Sequence, residues 1–127
     1  MNMPCHPPQT LFPLSSVQRE IWFDQVLYPD TPAYNTGGYL RIDGDIDPDI
    51  FHKALTQLVK ENDILRLRPV LKDDLPLQSF PEMIHVGMGY FDFSQEADPF
   101  QSALDSMTQF HVRPFRIFEE PLFRNNL

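Results

Sequence analysis

The chain has 127 residues, of which 42% are hydrophobic, so it is long enough for one domain with a packed core and is not globally disordered. Its formal net charge of −8 disfavours binding to nucleic-acid phosphates, and no stretch approaches the roughly 18 apolar residues of a membrane span. The start of the chain lacks the basic and apolar regions of a signal peptide, and the single cysteine, Cys5, excludes an internal disulfide, which together predict a cytoplasmic protein.

The first predicted elements are a leader, a helix and a strand. Residues 1–13 are rich in proline and have no periodic pattern, which predicts a flexible leader. Ser15 and Gln18 have the spacing of a capping box, and apolar residues at helical spacing follow them, so a helix is predicted here. The prolines after Tyr28 end this helix. Alternating apolar residues over 37–44 then predict a strand.

The middle of the chain predicts a helix and a pair of strands. Asp47-Pro48 fits the N-cap and the first position of a helix. Residues 65–68 alternate with period two, which predicts a strand that Pro69 interrupts. After a polar turn at 72–74, the run 75–80 is expected to return antiparallel.

The last third of the chain predicts one more helix between two strands. Residues 84–90 alternate and predict a strand with a bulge near its end at Tyr90. Asp98-Pro99 repeats the Asp-Pro helix start, and the run 122–127 is strand-like. Alternating helices and strands predict an α/β fold, or an α+β fold with a mixed sheet. Because the final run stops on Leu127 without a turn, we expect the chain to be cut within an element.

The side chains capable of chemistry do not form a complete site by sequence alone. The histidines have no metal-ligand spacing; they are His6, His52, His85 and His111. Gly37-Gly38 is not a phosphate loop, and Ser15 is better explained as a cap than as a nucleophile. Arg66 falls in the expected strand, where it needs a carboxylate partner that the neighbouring sequence does not identify. We therefore assign no catalytic, cofactor-binding or metal-ligating residue.

Several motifs, in this order, resemble those of the condensation domains of nonribosomal peptide synthetases. Residues 14–25 resemble the first core motif, Ser-x-Ala-Gln-x-x-Leu/Ile/Met-Trp, and residues 33–35 resemble the family's Ala-Tyr-Asn. Residues 65–66 resemble the Leu-Arg of its second core motif. The segments 113–115 and 120–124 resemble its Arg-Pro-Phe and Pro-Leu-Phe-Arg. The matching positions are Ser15, Gln18, Ile21, Trp22, Tyr34, Asn35, Leu65, Arg66, Pro114, Phe115, Pro121, Leu122, Phe123 and Arg124.

The chain also departs from these motifs. Residues 61–63 are Glu-Asn-Asp where the second motif has Arg-His-Glu, and Pro69 replaces its Phe. Glu120 replaces the Gly that precedes Pro-Leu-Phe-Arg. The family's third motif, His-His-x-x-x-Asp-Gly, does not occur in the chain.

The resemblance implies a fold, a reaction and partners. Condensation domains resemble chloramphenicol acetyltransferase, with two lobes around a tunnel, so residues 14–127 would be an incomplete N-terminal lobe. Carrier proteins bring a phosphopantetheine-tethered acyl donor and amine acceptor to opposite faces, where an amide bond forms; no cofactor binds to the domain directly. The resemblance also implies that Arg66 pairs with a carboxylate near the active site. On this hypothesis the chain alone is inactive, and it works with carrier proteins, adjacent synthetase domains and the rest of the condensation domain.

Two other interpretations stay open. In one, the chain is a non-catalytic module that docks a carrier protein or a neighbouring domain, although the strand edge near Leu127 is then unprotected. In the other, it is the product of a broken reading frame that barely folds and whose apolar faces drive aggregation. The sequence identifies neither the substrates nor an amide-forming, cyclising or epimerising subtype.

Overall fold

The computed structural model describes residues 10–127, in which helices alternate with short strands. The helices are α1 (Ser16–Leu27), α2 (Pro48–Glu61) and α3 (Pro99–Val112), and a short 3₁₀ helix spans Asp63–Arg66. The strands are β1 (Phe12–Pro13), β2 (Arg68–Lys72), β3 (Leu75–Ser79), β4 (Met88–Gly89) and β5 (Asn125–Asn126). Cys5, His6 and most of the predicted leader lie outside the described residues. None of the described helices is long and apolar enough to cross a membrane.

The three predicted helices are confirmed, and each begins at its predicted cap. Ser15 Oγ accepts the Gln18 amide while Gln18 Oε1 accepts the Ser15 amide. Asp47 accepts two amides of the first turn of α2, and Asp98 accepts one in α3. These side chains satisfy amides that have no partner inside the helix, which is why short local patterns predict them well.

The predicted antiparallel hairpin is confirmed as β2 and β3. Its turn residues, Asp73 and Asp74, have φ values of 51° and 61°, a left-handed conformation that suits a two-residue hairpin and that Asp tolerates. The predicted interruption at Pro69 is wrong, because Pro69 lies inside β2 opposite Gln78. The sheet order is β1-β3-β2, so β2 is an edge strand, where a residue without an amide proton is tolerated.

The predicted start of this strand is also wrong. Leu65 and Arg66 belong to the 3₁₀ helix, and β2 begins at Arg68. The Leu65 amide donates to the Asn62 carbonyl, three residues earlier, as in a helical turn. The period-two pattern of this segment therefore does not reflect a strand before Arg68.

The flexible leader predicted over residues 1–13 extends too far. Phe12 and Pro13 form β1 and pair antiparallel with Gln78 and Leu77 of β3. In addition, Gln78 Nε2 donates to the Pro13 carbonyl at 2.9 Å. These bonds occupy the side of β3 that the hairpin leaves open, and they draw residues 12–13 into the sheet.

The strand predicted over residues 37–44 is wrong. The structure has no strand there, and Leu40 and Ile42, which share one face of the predicted strand, are 89% and 53% exposed. A strand requires a neighbour for its backbone hydrogen bonds, and no strand of the described chain pairs with this segment. The alternating pattern alone does not supply that neighbour.

The strand predicted over residues 84–90 is much shorter, since only Met88–Gly89 forms β4. β4 pairs in parallel with β5. The Leu127 amide donates to the Gly89 carbonyl, and the Phe91 amide donates to the Leu127 carbonyl, each at 2.8 Å. Because this is the regular parallel pattern, the predicted bulge near Tyr90 is wrong.

Few side chains are buried. Within residues 10–127, the buried hydrophobic residues are Val59 and Val86, and the buried polar residues are Arg66, Gln78 and Ser79. Apolar side chains of all three helices stay exposed, with Val17 of α1 61%, Leu58 of α2 50% and Phe100 of α3 51% exposed. Polar contacts between elements therefore carry much of the connection between segments.

Candidate functional site: two arginine junctions

Gln18, in the first motif, joins α1 to the sheet. Its Oε1 closes the capping box with the Ser15 amide at 2.8 Å, while its Nε2 donates to Gln78 Oε1 at 3.0 Å. Gln78 in turn holds the Pro13 carbonyl. One amide side chain therefore caps the helix and sets its position against β1 and β3.

Trp22, also in the first motif, joins α1 to the loop that follows α3. Its ring meets Phe23 edge-on at 4.9 Å between centroids and Phe118 at 6.5 Å. Its Nε1 is buried and has no hydrogen-bond partner in the described part of the chain. Ile21 on the same helix is 37% exposed.

Arg66 closes the C-terminal end of α2, and we call it with its partners the Arg66 junction. Its Nη1 donates to the carbonyls of Val59 and Lys60, and its Nε donates to the Pro81 carbonyl at 2.9 Å. Its Nη2 pairs with the Asp63 carboxylate. The carbonyls of the last helical turn have no partner inside the helix, and a cation at this end also interacts favourably with the helix dipole.

The Arg66 junction corrects two expectations. Arg66 lies in a 3₁₀ helix rather than a strand, and its carboxylate partner, Asp63, lies three residues earlier in the same helical turn. The predicted strand covered residues 65–68 and left Asp63 outside it, which hid the pair. A helical reading would have found it, since residues three apart meet on one face of a helix. Leu65, the motif residue beside Arg66, is half-buried.

Arg124 holds the segment after α3, and we call it with its partners the Arg124 junction. Its Nη1 donates to the Arg113 carbonyl and its Nη2 to the Pro114 carbonyl, each at 2.7 Å. The guanidinium also lies 3.9 Å from the ring centroid of Phe115, a cation–π contact. The Arg-Pro-Phe and Pro-Leu-Phe-Arg segments are thus joined through one arginine.

Asn35 enters the same junction from a distant part of the sequence. Its Nδ2 donates to the carbonyls of His111 and Arg113, at 2.6 and 2.9 Å. The Arg113 carbonyl therefore accepts hydrogen bonds from both Asn35 and Arg124. Three of the sequence motifs meet at this single oxygen atom.

Glu120 supplies the negative charge of the Arg124 junction. Its carboxylate accepts from Arg124 at 2.9 Å and from the Arg116 amide at 2.8 Å, and it pairs with Arg113 at 3.4 Å. Burial by itself raises the pKa of Glu120, but the hydrogen bonds from Arg116 and Arg124 and the charges of Arg124 and Arg113 outweigh it. The pKa of Glu120 therefore lies below its ordinary value. Sequence reasoning noticed Glu120 only as a departure from glycine and did not identify this role.

Tyr34, beside Asn35, anchors its loop to α1. Its hydroxyl donates to the Asp24 carboxylate, and this hydrogen bond, together with a small burial effect and the negative charges of Asp24 and Glu20, raises the pKa of Tyr34. Gln25 Nε2 donates to carbonyls of the same loop, including that of Pro29 at 3.2 Å. The loop that carries Asn35 is held to α1 at two points.

The remaining candidates do not assemble catalytic machinery. Pro114, Pro121 and Phe123 are half-buried, and Leu122 is 38% exposed. His52 Nε2 lies 2.7 Å from the Val86 carbonyl, while the other described histidines are exposed. Within residues 10–127, no cluster of His, Cys, Asp and Glu side chains is placed to hold a metal ion. The motif residues instead form hydrogen-bonded and aromatic joints between elements.

A family model described as the condensation domain matches residues 8–127 of the chain. The chain is 34% identical over 116 residues to a dimodular nonribosomal peptide synthase from Bacillus subtilis, covering 91% of this chain and 5% of the relative. It is also 34% identical to an isonitrile lipopeptide synthase from Streptomyces coeruleorubidus, covering 91% of this chain and 8% of the relative. The chain thus spans less than a tenth of the length of these relatives.

Solved structures give the same result. The starter condensation domain of rhizomide synthetase matches with a TM-score of 0.87 and 37% identity, over 92% of this chain and 28% of that chain. A variant of that domain was solved with C8-CoA and Leu-SNAC. The first condensation domain of the CDA synthetase matches with a TM-score of 0.79 and 25% identity, over 89% of this chain and 31% of that chain. The predicted mixed α/β fold and the resemblance read from the motifs are confirmed.

Proposed function

The chain belongs to the condensation-domain family, and from this premise we propose that it supplies part of the N-terminal lobe of a domain that joins an acyl donor to an amine acceptor. In that proposal both substrates are thioesters on the phosphopantetheine arms of carrier proteins, and no cofactor binds to the lobe itself. The partners are carrier proteins, neighbouring synthetase domains and the rest of a condensation domain, in the cytoplasm.

The observation that carries the proposal is the meeting of three motifs at the Arg113 carbonyl. Asn35 reaches it from a loop more than seventy residues earlier, and Arg124 reaches it from the segment before β5. Bringing such distant segments to one acceptor fixes the loop, the end of α3 and the start of β5 relative to one another. A lobe that lines a substrate tunnel needs this fixed geometry, since orientation of two bound reactants supplies much of the rate.

The described residues contribute support rather than the reacting groups. Within residues 10–127, no group of His, Cys, Asp and Glu side chains is placed to hold a metal ion, and the His-His-x-x-x-Asp-Gly motif is absent from the sequence. We therefore expect no amide formation by the chain alone with any pair of loaded carrier proteins, measured by intact-protein mass spectrometry. Product above a control without the chain would contradict this expectation.

A chimera tests the positive part of the proposal. Residues 8–127 of this chain replace the matching segment of the rhizomide starter condensation domain, and amide formation from C8-CoA and Leu-SNAC is followed by mass spectrometry. We expect turnover by the chimera and none by a matched protein from which the segment is deleted. A chimera that is folded by circular dichroism and monomeric by size exclusion, yet makes no product, would contradict the proposal.

The donor class also belongs to the proposal. The rhizomide starter domain is 37% identical to this chain, and a variant of it was solved with C8-CoA, which supports a fatty acyl donor of the kind that C8-CoA represents. The same chimera distinguishes the donors when C8-CoA is replaced by a peptidyl thioester. We expect a preference for the fatty acyl donor; equal or greater turnover with the peptidyl donor would contradict the assignment.

A further inference from the structure

Glu120 lies at the centre of the Arg124 junction, at a position where the family motif has glycine. Its side chain is only 22% exposed. Its Oε1 accepts both the Arg116 amide at 2.8 Å and Arg124 Nη2 at 2.9 Å, while Oε2 faces Arg113 Nη2 at 3.4 Å. A glycine at this position has no atom that could accept any of these hydrogen bonds.

The turn over residues 116–120 is closed twice by Glu120. The Glu120 amide donates to the Arg116 carbonyl at 3.1 Å, and the Glu120 carboxylate accepts the Arg116 amide. Glu120 thus bonds both backbone polar groups of Arg116, whose carbonyl also accepts the Glu119 amide at 2.8 Å. Removing the carboxylate leaves the Arg116 amide without this partner and opens one side of the turn.

The same oxygen atom connects the turn to the last strand. Arg124, which shares Glu120 Oε1 with the Arg116 amide, directly precedes β5. β5 lies against β4 through only a short ladder, in which the Leu127 amide donates to the Gly89 carbonyl. A ladder this short is only marginally stable by itself. The register of β5 against β4 therefore depends on the contacts of the residues just before β5.

We propose that Glu120 is a positioning residue whose carboxylate locks the 116–120 turn to Arg124 and thereby holds β5 against β4. The charged groups that face it are Arg113 at the end of α3, Arg124 before β5, and the Arg116 and Glu119 pair on the turn. The lock is strongest with the ionised carboxylate, because hydrogen bonds from arginine to a charged oxygen are stronger than those to a neutral one, and a protonated carboxyl would point an O–H donor at partners that only donate. It is a property of this chain's sequence and does not depend on the proposed function.

The pH dependence follows from the sign of the shift. The pKa of Glu120 is lower in the folded chain than its ordinary value of 4.5, so the lock contributes stability above that value. This contribution is lost as the pH falls through the folded pKa. The Arg116 amide, which donates directly to the carboxylate, reports the change.

The experiment is a pH titration of the full chain by ¹H–¹⁵N NMR. In the wild type we expect the Arg116 amide resonance to titrate with a midpoint below 4.5, the ordinary pKa of the group. E120Q keeps the side-chain shape without the charge and should abolish this titration. E119Q is the matched control, because Glu119 is 68% exposed and pairs with the Arg116 guanidinium rather than its amide; it should leave the titration unchanged. A titration that persists in E120Q, or that E119Q abolishes, overturns the proposal.

Hydrogen exchange tests whether the lock extends to β5. We expect E120A to accelerate exchange of both the Arg116 and Leu127 amides, while E119A accelerates neither. If E120A accelerates exchange at Arg116 but not at Leu127, then Glu120 closes the turn without positioning β5. That result would overturn the proposal. If E120A unfolds the chain, the same comparison at neutral pH and below the Glu120 midpoint in the wild type decides between the two outcomes.

Discussion

The Arg66 and Arg124 junctions both hold the C-terminal end of a helix, but their residues come from different distances along the sequence. Each places a guanidinium on carbonyls at the C-terminal end of a helix, and each adds one carboxylate, Asp63 or Glu120. The partners of Arg66 all lie within fifteen residues of it. The Arg124 junction, in contrast, includes Asn35, which lies 78 residues before the Arg113 carbonyl that it binds.

The difference separates a local fold unit from a tertiary one. The Arg66 junction forms when α2 turns into the 3₁₀ helix and the chain returns past Pro81, beside the buried Val59. The Arg124 junction forms only when the loop after α1 reaches the end of α3. The first should therefore resist changes elsewhere in the chain, and the second should report whether distant segments are docked.

The largest effect is expected from Arg66→Ala. The substitution removes the arginine donor from the carbonyls of Lys60 and Pro81 and leaves the Val59 carbonyl with the longer contact from the Asn62 amide at 3.4 Å. It also removes the partner of Asp63. We expect the free energy of unfolding to fall by about 3 kcal/mol. Few hydrophobic side chains are buried, so this loss should unfold α2, measured as reduced helix signal by circular dichroism.

Arg41→Ala is the matched control for that experiment. Arg41 also pairs with a nearby carboxylate, Asp43, but its side chain is 73% exposed. We expect Arg41→Ala to change the free energy of unfolding by less than about 0.5 kcal/mol. Arg66→Lys should restore little, since an ammonium cannot span the same set of acceptors. If Arg66→Ala and Arg41→Ala lower the free energy of unfolding equally, the Arg66 junction contributes no more to stability than an exposed ion pair.

A smaller loss is expected when the two asparagines that serve the helix ends are compared. The Asn35 side chain donates to two carbonyls at the end of α3, whereas the Asn62 side chain donates to one, the Leu58 carbonyl near the end of α2. We expect Asn35→Ala to cost about 2 kcal/mol and Asn62→Ala about 1 kcal/mol. Urea unfolding monitored by Trp22 fluorescence measures both. A greater cost for Asn62→Ala would contradict the larger structural role that the two hydrogen bonds give to Asn35.

What the sequence predicted well depends on how far apart the interacting residues are. The caps at Ser15, Asp47 and Asp98 were predictable because the acceptor and the amides lie within three residues. The Asp73-Asp74 turn was predictable for the same reason. In each case the physical cause and the sequence signal occupy the same few positions.

The failures arise where a partner is distant or the local period is ambiguous. The 37–44 segment alternates as a strand does, but no strand of the described chain pairs with it. The Asp63–Arg66 pair was missed because an apolar alternation was interpreted as a strand rather than a helical turn. The role of Asn35 depends on a contact with Arg113, 78 residues away, that no local spacing reveals. Glu120 lies four residues from both Arg116 and Arg124, but these contacts form around a turn rather than along a helix, so helical spacing did not indicate them.

A double-mutant cycle tests whether the Arg124 junction acts as one unit. Asn35 and Arg124 share the Arg113 carbonyl, so the cost of Asn35→Ala should be smaller once Arg124 is replaced by alanine. We expect a coupling of about 0.5–1 kcal/mol from urea unfolding. The cycle between Asn35 and Arg66, which share no partner in the structure, should be additive. Equal coupling in the two cycles would mean that the junctions are not separate.

The smallest effect is expected from salt, and it distinguishes the carboxylates of the two junctions by their exposure. Asp63 is 76% exposed where it pairs with Arg66, whereas Glu120 is 22% exposed where it pairs with Arg113 and Arg124. Raising the salt from 0.15 M to 1 M shortens the screening length from about 8 Å to about 3 Å. Asp63→Asn should therefore lower the free energy of unfolding by about 0.5 kcal/mol at low salt and by close to nothing at high salt, while the cost of Glu120→Gln should be nearly the same at both. Urea unfolding at the two salt concentrations measures this difference. If the cost of Glu120→Gln disappears at 1 M salt, its ion pairs are surface contacts, and the carboxylate of the tertiary junction is no better shielded from salt than the carboxylate of the local one.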